Sequence, residues 1–113
     1  MEKENSIRLK HILESIGKIE DYLLNLNEEK FGQDNLRQDA VVRQLEIIGE
    51  ATKNLSSELK LSNPQIEWRK MAGTRDRLAH GYFSVDIEIV WRITQDFLPS
   101  LKIEIEKILE NLS

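Results

Sequence analysis

The 113-residue sequence contains no cysteine, two histidines, two prolines and five glycines. Without cysteine there can be no disulfide, thiolate metal site or cysteine nucleophile, and the composition fits a reducing cytoplasm, the expected location. Long apolar runs are also missing. The N-terminal MEKENSIRLKH mixes charges of both signs, so neither a signal peptide nor a membrane span is expected. Segments of β periodicity, internal repeats and low-complexity tracts are absent as well. A net charge of -4 argues against a broad nucleic-acid-binding surface.

Hydrophobic residues make up 40% of the chain, enough for one domain over residues 1–113 with a core of its own. A monomer of this size leaves much apolar surface uncovered, so association is expected. Ile12, Ile16, Ile19, Leu23 and Leu26 follow helical spacing and predict an amphipathic helix over about 5–27. NEEKFGQDN breaks that period. A second helix is expected over about 36–59, with Val41, Leu45, Ile48, Leu55 and Leu59 as its buried stripe and Gly49 marking close packing. Its charged stripe, Asp39, Arg43, Glu46 and Glu50, reads either as a solvated face or as a face turned toward a site or partner.

In LSNPQIEW, Ser62 or Asn63 can cap a short helix with Pro64 in its first turn. Gly73 is expected to interrupt that helix near Met71, Thr74 to cap the next short one and Gly81 to end it. Ser84 is the expected cap of a last long helix, in which Val90, Phe97, Leu101, Ile105, Ile108 and Leu112 hold register and Pro99 introduces a kink near Phe97. The predicted fold is therefore all-α: an antiparallel bundle of three long helices and one or two short ones.

One segment departs from the acidic background. From Arg69 to Arg77, RKMAGTRDR carries four basic residues against one aspartate, so any phosphate site belongs there. Arg69, Lys70 and Arg77 are the candidate RNA contacts. The segment leads into RDRLAHGYF, where Arg75, Asp76, His80 and Tyr82 crowd together. On one ideal helix Arg75 and Tyr82 share a face, whereas His80 lies about 140° from Arg75. Convergence therefore requires either a break of the helix near Gly81 or a site shared by two chains. Imidazole exchanges protons near neutrality and guanidinium grips phosphate, which makes these residue types suited to metal-free RNA cleavage. By contrast, His11 lies on the polar side of the first helix and reads as surface. Trp68 and Trp91 read as core or interface residues more readily than as base-stacking platforms.

DAVVRQLEIIGEA followed by NPQIEWRKMAGTRDRLAHGYFSVDIEIVW resembles the HEPN superfamily, and within it the HepT-like toxins, over roughly residues 5–112. The shared features are the R-x4-H-x-Y motif, the IGEA run, the Pro64 to Trp68 spacing and the valine, aspartate and tryptophan that follow the motif. The resemblance implies a homodimeric endoribonuclease that needs no metal or other cofactor, with Arg75 and His80 catalytic at the dimer interface and Asp76 orienting. It further implies a partner, an MntA-type nucleotidyltransferase antitoxin that transfers AMP to Tyr82, either with the dimer alone or within a larger hetero-oligomer. The same residues leave two other readings open: a non-catalytic subunit that positions substrate for a nucleotidyltransferase, and a purely structural helical module.

Overall fold

The computed structural model describes residues 2–80 and 86–112, with the backbone alone at residues 2 and 75–80. The regular structure among these residues is all helical, with no strand among them: α1 (Glu2–Tyr22), α2 (Glu28–Gly32), α3 (Asn35–Lys53), α4 (Ser57–Ser62), α5 (Trp68–His80), α6 (Ile87–Arg92), a π-helical turn (Ile93–Phe97) and α7 (Leu98–Leu112). The all-α bundle is as expected, and its three longest helices are α1, α3 and α7. Short helices are more numerous than expected. Among the described residues no helix is long and apolar enough to cross a membrane.

The predicted stripes form the core. Leu9, Ile12, Ile16 and Ile19 of α1 meet Val41, Leu45 and Ile48 of α3, with Met71 of α5 and Leu101, Ile105 and Ile108 of α7 completing the cluster. Helix α3 packs against both α1 and α5, while α7 lies on α1. Each fully buried leucine or isoleucine contributes about 1.5–3 kcal/mol relative to exposure. Gly49 is buried in α3, in keeping with close packing there. Trp68 is also buried, and its indole Nε1 donates to the Asn63 carbonyl at 3.0 Å. Trp91 is half-buried, with its ring centroid 5.4 Å from that of Phe31. Both tryptophans thus belong to the packing.

Several boundaries differ from the sequence reading, each because side chains or backbone satisfied groups that the periodicity ignores. Helix α1 ends at Tyr22 rather than near residue 27. Asn25 takes a left-handed φ of 66°, a conformation asparagine tolerates better than most residues. Asn27 then caps α2 by accepting from the Lys30 N–H at 2.8 Å, so NEEKFGQDN contains a helix and not only a break.

The single helix expected over 36–59 is two. Asn54 terminates α3 and donates from Nδ2 to the Glu50 carbonyl. Ser56 starts α4, its Oγ accepting from the Leu59 N–H and from Asn5 Nδ2. The Ser56 N–H donates to Asn5 Oδ1 at 3.1 Å, which ties the start of α1 to the α3–α4 link.

Asn63 closes α4 instead of opening the next helix, and Pro64 lies in the turn before α5. Gly73 does not interrupt α5, which runs unbroken from Trp68 to His80. Thr74 is accordingly not a cap; its hydroxyl donates to the Lys70 carbonyl four residues back at 2.7 Å. Ser84, the expected cap of the last helix, lies outside the described residues. Asp86 caps α6 by accepting from the Glu88 N–H at 3.0 Å. Where Pro99 was expected to kink the helix, the chain forms the π-helical turn, and the Leu98 N–H donates to Ile93 O five residues back.

Candidate active site

Helix α5 carries the motif from Arg75 to His80, and its phase decides which residues share a face. Lys70, Gly73 and Thr74 line one wall of a groove of about 520 Å³. Arg92, Asp96 and Phe97, from α6 and the π-helical turn, line the opposite wall. Lys70 Nζ lies 5.3 Å from the Phe97 ring centroid and 3.7 Å from Glu67 Oε2. Both contacts are weak at such exposure, on the order of 1 kcal/mol or less. Arg92 and Asp96 are exposed.

Positions 77 and 80 follow Gly73 by four and seven residues, so they continue the groove-facing phase of α5. Position 75 instead follows Met71 by four and Trp68 by seven, both of which are buried. Arg75 and His80 thus occupy helical phases about 140° apart on one unbroken helix. The expected break at Gly81, which lies outside the described residues, would come after both positions and leave that backbone angle unchanged.

Of the candidate site residues, Arg69 and Lys70 are exposed on α5 and only Lys70 lines the groove. Arg75, Asp76, Arg77 and His80 are placed by their helical backbone positions, and their side chains lie outside the described residues, as does Tyr82. Sequence reasoning missed Gly73, Arg92, Asp96 and Phe97 as neighbours of the motif. The available signal was a glycine inside a helix beside a basic run, with an arginine and an aspartate at i, i+4 some twenty residues later.

Asp39, Arg43 and Glu50 of the charged stripe are exposed in the single chain, Arg43 lies 3.8 Å from Glu46, and Arg43, Glu46 and Glu50 line an open cleft together with Arg8 and His11. His11 is exposed on α1. Asp34, capping α3, is held below the usual carboxylate range by the Arg37 N–H and then by the Arg37 guanidinium. Among the described residues no group of three or more His, Cys, Asp or Glu side chains is placed to hold a metal ion.

The ribonuclease HepT-like family model matches residues 12–108. A protein of Thermococcus cleftensis named "probable ribonuclease HepT" is 42% identical over 108 residues, covering 96% of this chain and 98% of its own length. A "gamma-glutamylcyclotransferase and putative RNase" of Methanocaldococcus jannaschii is 45% identical over 112 residues, or 99% of this chain. The chain spans only 50% of that relative's length. No solved structure gives a significant match. The match over most of the chain, together with an all-helical bundle in which the Arg75 to His80 part of the motif ends α5, places this protein in the ribonuclease HepT-like family.

Proposed function

We propose that this protein is a metal-independent endoribonuclease toxin that acts as a homodimer, with Arg75 and His80 of both chains at a shared site. The observation that carries this reading is the unbroken α5, which holds Arg75 and His80 on different phases of one helix. Their backbone positions on one chain point about 140° apart. A second chain related by a twofold axis supplies the missing face and a second histidine.

The chemistry needs that duplication. One His80 takes the proton from a ribose 2′-hydroxyl, whose oxygen attacks the adjacent phosphorus and forms a 2′,3′-cyclic phosphate. The P–O5′ bond breaks, and the other His80 delivers a proton to the departing 5′-oxygen. Arg75 neutralises the charge that develops on the non-bridging oxygens, and Asp76 orients its neighbour. Arg69, Lys70 and Arg77 supply positive charge along the approach.

Control falls to Tyr82. Its phenolic oxygen, attacking the α-phosphorus of ATP on a cognate MntA-type nucleotidyltransferase, acquires AMP with loss of pyrophosphate. The added anion, two residues from His80, fills the site and repels RNA phosphate. The test is cleavage of RNA by the purified protein in EDTA. Products ending in 2′,3′-cyclic phosphate are expected, and His80→Ala should lose the activity. Undiminished cleavage by His80→Ala would overturn the mechanism.

A further inference from the structure

We propose that the groove between α5 and the α6–π-turn segment is a subsite for the single-stranded RNA that flanks the cleaved bond. Arg92 and Lys70 would be its phosphate contacts and Gly73 its floor. This inference rests on the ribonuclease reading but concerns residues outside the R-x4-H-x-Y motif.

Three observations converge on the groove. First, its two walls carry two cations, Lys70 and Arg92, and one carboxylate, Asp96, with Glu67 Oε2 3.7 Å from Lys70 Nζ beside the lining. The cations stand on different helices, so a strand lying between them is held from both sides. Arg92 is exposed and can grip phosphate with its planar fork.

Second, Gly73 is a glycine in the interior of a 13-residue helix, where glycine costs about 1 kcal/mol relative to alanine. Packing among the described residues does not explain it, because a Cβ added there meets none of them within 4 Å. The missing side chain instead leaves the groove floor open to close approach by a ligand backbone.

Third, the groove points toward the motif. Lys70, Gly73 and position 77 share one face of α5, which continues to position 80. From Lys70 to His80 the helix rises about 15 Å, the length of a few nucleotides. A strand seated at His80 therefore extends past Gly73 to Lys70 without changing face.

The experiment compares the parent protein with Arg92→Gln, Gly73→Gln and, as a control distant from the groove, Lys107→Gln. Two substrates are used, a short mixed-sequence single-stranded RNA and a dinucleoside phosphate that offers only the scissile bond. On the longer RNA, Arg92→Gln and Gly73→Gln should each raise KM about tenfold with kcat within about twofold, whereas on the dinucleoside phosphate both should match the parent. Binding of the 2′-O-methyl form of the longer RNA, which lacks the attacking hydroxyl, gives a readout independent of catalysis. There Arg92→Gln should lower the slope of log affinity against log salt by about 0.7, one phosphate contact to a single strand.

Equal KM and equal salt slope in both variants would remove the groove from RNA binding while leaving the nuclease intact. A parent protein that cleaves no RNA would instead defeat the ribonuclease reading, and the 2′-O-methyl binding series would still decide the groove. If Arg92→Gln leaves RNA binding unchanged but abolishes modification by the nucleotidyltransferase, the groove is a protein-docking surface and the inference is wrong.

Discussion

Gly17 and Gly73 offer a paired test of the helix assignments and of the groove. Each lies inside a helix, α1 or α5, and a Cβ built at either meets none of the described residues within 4 Å. Alanine there removes unfolded-state freedom without a clash, a gain of about 0.8–1.0 kcal/mol per site. At about 2.1 cal/mol/K per residue, a chain of 113 residues has an unfolding entropy near 0.24 kcal/mol/K, so each substitution should raise Tm by about 4 °C. The sites are on different helices, and the double variant should gain about 8 °C.

The assay is thermal melting followed by far-ultraviolet circular dichroism, at one fixed protein concentration because an associating chain has a concentration-dependent midpoint. Gly17→Ala should leave RNA cleavage unaltered. Gly73→Ala should be as stabilising but should raise KM on long RNA, because its methyl group enters the groove floor. A lower Tm for Gly73→Ala would mean that another surface packs on that position. A lower Tm for both would refute the reasoning from open space and helix propensity.

Two further substitutions probe polar groups. Gln44 is buried and its Oε1 has no hydrogen-bond partner among the described residues, so Gln44→Met should raise stability by about 1 kcal/mol, read as a higher urea midpoint with unchanged m-value. The Asp34 carboxylate is held below its ordinary pKa by Arg37, so its contribution is complete above the unfolded pKa and is lost as pH falls through the lower folded value. Asp34→Asn should therefore lower Tm at neutral pH, and the difference from the parent should shrink in acid. A gap that stays constant between neutral pH and pH well below the carboxylate range would show that the charge is not involved.

Much of the fold was legible because apolar spacing reports burial directly. Ile12, Ile16 and Ile19, then Val41, Leu45 and Ile48, then Leu101, Ile105 and Ile108 are all buried as their periodicity implied. The ends of helices were less legible, since they depend on local competition for backbone groups. Asn54 and Ser56 divide what periodicity read as one helix, through hydrogen bonds that reach as far as Asn5. Gly73 misled in the opposite direction: glycine lowers helix propensity, but the packing of α5 on α3 carries the helix through it.

For the site, the sequence identified the basic run and the motif because residue type and short spacing are local properties. Arg92, Asp96 and Phe97 become neighbours of Lys70 only through the tertiary packing around α5. A single chain's spacing could state that Arg75 and His80 diverge on a helix. It could not state that the helix stays unbroken between them, and that continuity favours a site built from two chains.

The most direct measurement is therefore RNA cleavage by mixed dimers. Parent and His80→Ala chains, unfolded together in equal amounts and refolded so that they pair at random, leave about one dimer in four with two intact histidines. If one histidine must act as base and its partner as acid, cleavage should fall to about a quarter of that of the same total amount of parent protein. Retention of about half the activity, as expected when each chain carries an independent site, would contradict a shared site.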